Sequence, residues 1–406
     1  MYKNRAIETV ITNTIEQFPI LLLTGPRQVG KTTVLKHILG EDYRYVTMDD
    51  PIQRQSLKDD PALFLKNNPG KLILDEIQYV PESFSYLKMR VDESQKTGQF
   101  VLTGSQVFNM MQGVSETLAG RVGILELQGL SMREICDVPF KQPFIPTESY
   151  LEEREKHLKS YEPIWQHIHR GAMPRLALNP DINWEIYYRS YLQTYLERDV
   201  RQLTQVADEN LFTKFMVALA ARSGELLNYQ SIAKDLSVSN DTVKRWISVL
   251  ESSRIIYLLQ PYANNHLKRA IKTPKLYFLD TGLLAYLTMW LTPETLSKGA
   301  VNGAVFETFV VSEIIKSFIN AGTTRLPLFF YRDRDKREID LLIELGDSLY
   351  PIEIKHGANP NASMVKHFSA LDAIPGKKVE NGIILCRYER KMWLKDNLVA
   401  LPIEYI

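Results

Sequence analysis

Three groups of residues in this sequence have types and spacings that could do chemistry. In the first, Gly25-Pro26-Arg27-Gln28-Val29-Gly30-Lys31-Thr32 fits G-x-x-x-x-G-K-[ST] at every fixed position and is followed by Thr33. This is a phosphate cradle. Gly25 and Gly30 allow backbone angles that turn N–H groups toward phosphate oxygens, and the start of the following helix adds partial positive charge at the same spot. Lys31 would reach the β- and γ-phosphates of ATP, and the Thr32 hydroxyl would complete the shell of a Mg²⁺ ion bridging them. In the second group, the apolar run Lys71-Leu-Ile-Leu ends in Asp75-Glu76. Such a run is often a plain strand–loop junction, but 44 positions after Lys31 it has the form of a Walker B strand. Asp75 would hold the Mg²⁺ shell and Glu76 would orient or deprotonate the attacking water. The third group is Glu307, Asp340, Glu353 and Lys355. Asp340 and Glu353 could share a Mg²⁺ ion with Glu307 as a further ligand, while Lys355 activates water or stabilises charge on a phosphate.

The elements around these groups decide whether they can act. Ile20 to Leu23 predicts a strand before the phosphate cradle and a helix after it, and Tyr43 to Met48 a second strand. A helix over Ser83 to Lys96 leads to a strand, Gln99 to Ser105, whose polar end faces the ligand in open α/β sheets. Thr103 or Ser105 would sense the γ-phosphate there, or cap the next helix. Arg121 precedes a strand over Val122 to Leu127. It could stabilise charge on the transferred phosphoryl group, in the same subunit or across the interface of a homo-oligomer, or simply form a surface salt bridge. The expected domain is a parallel sheet flanked by helices, with the Thr103 strand between the phosphate-cradle and Walker B strands.

The order of Gly25-Pro-Arg-Gln-Val-Gly-Lys-Thr-Thr33, Leu74-Asp-Glu-Ile-Gln78, Leu102-Thr-Gly-Ser-Gln106 and Leu118-Ala-Gly-Arg121 resembles prokaryotic AAA-type ATPases that carry a C-terminal domain of unknown function. Later stretches match as well. The resemblance implies ATP binding and hydrolysis with Mg²⁺ and leaves the cellular role undefined.

Further along, Glu- and Lys-rich residues 147–162 read as a solvated helix or linker. Trp184, Tyr187, Tyr188, Tyr191 and Tyr195 fall on one helical face, ahead of Tyr195-Leu-Glu-Arg-Asp-Val200, which also resembles the family. The stripe is expected to pack between domains, with Arg198 a candidate contact to nucleotide or DNA. Tyr229 to Leu236, the turn Ser237 to Asn240 and Asp241 to Ser252 then have helix-turn-helix spacing, and two strand-like runs, Ile255 to Gln260 and Lys275 to Leu279, suggest a wing. Between Gln230 and Leu276 there are eight Lys and Arg against three Asp and Glu. Lys244 and Arg245 lie on the second helix, and His266, Lys268, Arg269, Lys272 and Lys275 lie in or beside the wing. This suits phosphate contacts to double-stranded DNA, although winged helices also dock proteins.

In the C-terminal stretch, Glu307 falls on an amphipathic helix, and Asp340 leads into a strand. Alternation along the next strand puts Glu353 and Lys355 on one face and Ile352 and Ile354 on the other. The set resembles the E…D…(D/E)-x-K core of restriction-endonuclease-like nucleases, with Ile339 where a Pro often precedes the Asp. The same residues could instead persist as a salt-bridged strand pair.

The fold class expected is α/β throughout: an AAA-type P-loop domain over 1–155, a helical connector over 156–210, a winged helix over 211–295 and a restriction-endonuclease-like domain over 296–406. A chain of 406 residues is too long for one core. Hydrophobic residues at 45% and charged residues at 24% indicate a soluble globular protein, and no apolar run reaches the roughly 20 residues of a membrane span. The N-terminal MYKNRAIETV lacks the apolar core of a secretion signal, and Cys136 and Cys386 form neither a disulfide framework nor a thiolate metal site. Both observations point to the cytoplasm. A net charge of +1 says nothing of a nucleic-acid partner, so the local excess of base carries that expectation.

Overall fold

A computed structural model describes residues 2–104, 114, 116–195, 209–263 and 273–406. The N-terminal domain is built on β1 (Ile20–Thr24), β2 (Tyr43–Thr47), β3 (Lys71–Asp75), β4 (Phe100–Thr103) and β5 (Val122–Glu126). All five are parallel, in the order β2-β3-β4-β1-β5. The Thr103 strand does lie between the other two, since Leu102 opposes both Leu22 and Leu74. The inner strands read as continuous apolar runs because both faces are covered. Alternation assigns the faces: Ile20, Leu22, Leu72 and Leu74 pack toward residues 46–118, while Leu21, Leu23, Ile73 and Val101 face the rest of the chain. Parallel strands share one C-terminal edge, and Thr24, Asp75 and Thr103 meet there.

Among the described residues, the connector is a set of short helices, the last of them Trp184–Tyr195. Its aromatic stripe is packing: Trp184 stacks on His169 at 4.3 Å, and the Tyr188 hydroxyl donates to Asp280 Oδ1 at 2.7 Å. The side chain of Tyr195 and all of Arg198 lie outside the described residues. Helices Glu209–Ala220, Tyr229–Leu236 and Asn240–Ser252 follow, the last begun by Ser239, whose hydroxyl accepts from Thr242 N at 3.1 Å. Two antiparallel strands, β6 (Ile256–Leu259) and β7 (Lys275–Phe278), complete this segment.

The C-terminal domain sets the long helix Asn302–Asn320 against a seven-stranded mixed sheet. Its strands are β8 (Leu328–Arg332), β9 (Glu338–Leu345), β10 (Ser348–Ile354), β11 (Lys378–Val379), β12 (Gly382–Cys386), β13 (Met392–Lys395) and β14 (Leu398–Pro402). They run β13-β14-β12-β10-β9-β8, with β11 beside β10. The chain just after β6 adds to this sheet: Tyr262 N donates to Phe330 O at 2.6 Å and Phe330 N to Gln260 O at 3.1 Å. One apolar core runs from Ile7 to Ile406. Met132 N donates to Glu313 Oε2 at 2.8 Å and Arg133 Nε to Ile406 O at 2.9 Å, tying the end of the first domain to the last. Among the described residues, no helix is long and apolar enough to cross a membrane.

Candidate nucleotide site and C-terminal carboxylate cluster

The phosphate cradle leaves β1 at Gly25 with φ 140°, passes Gln28 at φ 63° and enters the helix Lys31–Leu39 from Gly30 at φ 92°. Gly25 is required for a second reason: a Cβ there would collide with the Leu127 carbonyl oxygen. Lys31 is 6% exposed, and its ammonium donates to the carbonyls of Gly25 at 2.9 Å and Pro26 at 2.8 Å. Buried Arg5 braces the cradle from outside, donating to Val29 O at 2.9 Å and Gln128 O at 2.7 Å while pairing with Glu134 at 2.9 Å. Pro26 and Val29 are buried, and Thr33 is exposed at the helix start.

Asp75, 6% exposed, collects hydroxyls from three elements. Thr32 Oγ1 lies 3.1 Å from both of its oxygens, Tyr45 donates at 2.6 Å, and Thr103 donates to Oδ1. Burial, then the bond to Asp75, pushes the Tyr45 phenol well above its usual range. Glu76 adopts the left-handed region at φ 54°, its N–H donates to Thr103 Oγ1 at 3.4 Å, and Gln78 Nε2 donates to its carboxylate. A hydroxyl and a carboxylate side by side, below a lysine at a helix start, fit a Mg²⁺ ion held mainly through nucleotide phosphates. Thr103 was read as a γ-phosphate sensor or a helix cap, yet its hydroxyl binds Asp75. Ser105 lies outside the described residues. The sequence reading missed Arg5 and Tyr45. Tyr45 was detectable from period-two alternation, which puts Tyr43, Tyr45 and Thr47 on one face of β2.

Arg121 is elsewhere. It precedes β5, its carbonyl accepts from Ile20 N, and it therefore sits at the N-terminal edge of the sheet. Five strand residues separate that edge from the cradle, about 16 Å at 3.3 Å per residue. Its guanidinium pairs with Asp92 at 2.5 and 3.0 Å. Arg121 thus lies at the sheet edge opposite the phosphate cradle of its own subunit.

The C-terminal residues do come together, but with a different set of partners. Lys355 Nζ lies 2.6 Å from Glu353 Oε1 and 3.6 Å from Asp340 Oδ2, and the latter oxygen accepts from Ile354 N at 2.9 Å. Glu307 accepts from the Tyr277 hydroxyl at 2.6 Å and from Lys275 Nζ at 3.2 Å. Lys275 also pairs with Glu338 at 2.7 Å, and Arg332 with Glu338 at 2.8 Å. Burial and then the Asp340 charge push the Glu353 carboxyl up to about 7 against the pull of Lys355. The same two causes raise Glu307. Burial draws the Lys275 ammonium down, but the charges of Glu307, Asp340 and Glu338 outweigh it and hold it above its usual range.

One expectation is corrected here: Lys275 is 3% exposed, so it is an internal counter-ion and not a wing contact to DNA. Within the Glu307, Asp340 and Glu353 set, an ammonium and a phenol meet Glu307 and an ammonium meets Glu353. Among the described residues, no group of three His, Cys, Asp or Glu could hold a metal ion. Of the other basic residues, Lys244 and Arg245 are exposed on Asn240–Ser252, while His266, Lys268, Arg269 and Lys272 lie outside the described residues.

Residues 17–136 match the family model described as AAA domain. Residues 161–294 and 302–406 match models described as domains of unknown function, DUF8612 and DUF4143 respectively. An uncharacterized protein of Mycobacterium tuberculosis, Rv2008c, is 28% identical over 394 residues, covering 97% of this chain and 82% of that protein. An uncharacterized protein of Methanocaldococcus jannaschii, MJ1637, is 28% identical over 296 residues, covering 64% of this chain and 60% of that protein. Among solved structures, the Walker-type ATPase PABY2304 of Pyrococcus abyssi aligns with a TM-score of 0.42 and 16% identity, over 71% of this chain and 96% of that one. The Thermotoga maritima RuvB branch migration motor aligns with a TM-score of 0.29 and 14% identity, over 62% and 88%. The phosphate cradle and the strand order give residues 17–136, the stretch that matches the AAA domain model, the fold of a P-loop nucleotide-binding domain.

Proposed function

We propose that the chain binds and hydrolyses ATP with Mg²⁺ at the phosphate cradle and couples nucleotide state to the segments that follow. The observation that carries this reading is Asp75 held by Thr32, Tyr45 and Thr103 at the shared strand edge beside Lys31. Lys31 would exchange the Gly25 and Pro26 carbonyls for phosphate oxygens, Thr32 and Asp75 would hold the ion, and Glu76 would take a proton from the attacking water. Bound Mg²⁺ supplies charge neutralisation on the phosphates. A cavity of about 650 Å³ beside Gly30 and Thr33, walled by Tyr2, Pro174 and Ile182, receives the nucleoside. One wall comes from the connector, so an occupied site touches both domains. The test is ATP turnover with Mg²⁺ by wild type and Lys31→Ala, with a loss on the order of 10²-fold or more expected. Equal turnover would overturn the reading.

A second reading is that nucleotide state governs engagement of double-stranded DNA. It is supported by exposed Lys244 and Arg245 on a helix whose other face buries Val243, Trp246, Ile247 and Leu250. Replacing both with Ala should weaken duplex retention equally for all sequences and reduce the salt slope by about 2. Hydrolysis and retention both indifferent to this change would favour a switch that docks a protein. Arg121 acts, in this scheme, on the nucleotide of a neighbouring copy in a homo-oligomer.

A further inference from the structure

The nuclease-like arrangement reserves a place for a divalent cation, and the residues present do not fit one. We propose that Lys275 is the resident cation of the carboxylate cluster, so that the cluster latches the β6–β7 segment onto the C-terminal domain instead of holding a metal. Three observations support this.

The first is provenance. Lys275 comes from β7 in the preceding segment, yet its ammonium is bound between Glu307 on the long helix and Glu338 on β9, at 3.2 and 2.7 Å. These are the distances of charge-assisted hydrogen bonds. The second is charge. Glu307, Glu338, Asp340 and Glu353 face Lys275, Lys355 and Arg332, and the ion pairs among them span 2.6–3.6 Å. Three cations already answer four carboxylates, which leaves little for a doubly charged ion to gain. The third is anchorage. Leu276 on the same strand bonds Glu225 and Gly224 at 3.0 and 2.7 Å, and Tyr277 donates to the Glu307 oxygen that Lys275 also meets. The backbone thus carries Lys275 into the cluster, where its side chain is 4% exposed.

The experiment is a Mn²⁺ titration of the nucleotide-free full chain, read by the loss of the free-ion electron paramagnetic resonance signal. The ATPase site takes its ion through phosphates and does not interfere when nucleotide is absent. Wild type and Asp340→Asn should give the same weak, non-stoichiometric uptake. Lys275→Met should gain one site, tighter than any in wild type by about tenfold or more, and Asp340→Asn in that background should remove it. Stoichiometric uptake by wild type that Asp340→Asn abolishes would overturn the proposal. So would a folded Lys275→Met, checked by circular dichroism, that gains no site. If that variant does not fold, Lys275→Gln, shorter by one atom and uncharged but still polar, is read the same way. The comparison of wild type with Asp340→Asn decides the main point without either variant.

Discussion

Asp75 accepts hydroxyls from three different elements, and its placement depends on each of them. Thr103 is fully buried, so Thr103→Val keeps the volume and removes one bond. ATP turnover should fall by about 10–100-fold with ATP affinity nearly unchanged, as steady-state kinetics would show. Glu353 gives a pH prediction. Its carboxyl is held at about 7 in the folded protein against 4.5 ordinarily, so the folded state keeps a proton that the unfolded state releases. That contribution is fully present below 4.5 and is lost as pH rises through 7. Stability should therefore decline across this window, by up to about 3.5 kcal/mol, and Glu353→Gln should flatten the decline in denaturant melts. At this scale the phosphate cradle was legible because its chemistry is written in consecutive residues. Lys275 was not: Lys268, Arg269 and Lys272 precede it in sequence, and only the fold brings it against Glu307 and Glu338.

Among elements, the turn from β1 into the cradle is the least tolerant. Gly25→Ala both forbids φ 140° and pushes a methyl group into the Leu127 carbonyl, so the loop must shift. Calorimetric titration should show ATP binding lost while the far-ultraviolet spectrum is retained. Strand β5 sets the expectation for Arg121 by putting it at the wrong edge for its own nucleotide. Wild-type specific turnover should rise with protein concentration, and Arg121→Ala should abolish that rise without altering ATP affinity. The parallel sheet was readable from apolar runs ending in polar groups at helix-length spacing. The C-terminal sheet was only half readable. The reading named runs that became β9 and β10, but β12 and β14 are buried on every residue and carry no alternation that tells a strand from a buried helix.

For the whole molecule, one apolar core is shared among the stretches named from sequence. Glu313 caps Met132 N, Ser317 accepts from Phe144 N, and Arg133 reaches Ile406. Thermal unfolding should follow one transition, and ATP at about 100 times its Kd should raise stability by about 2.7 kcal/mol everywhere, including amides of β12 and β14 far from the nucleotide. Hydrogen exchange resolved by peptide would detect any part that melts early. The backbone bonds between Tyr262 and Phe330 carry one more implication, for mechanics. A segment joined to its neighbour by strand pairing cannot pivot on that joint, so the helix bearing Lys244 and the seven-stranded sheet form a single lever arm. Arg254 in the same segment meets Glu126 of the nucleotide domain at 2.8 Å, so a displacement of that strand end would be passed to both parts together.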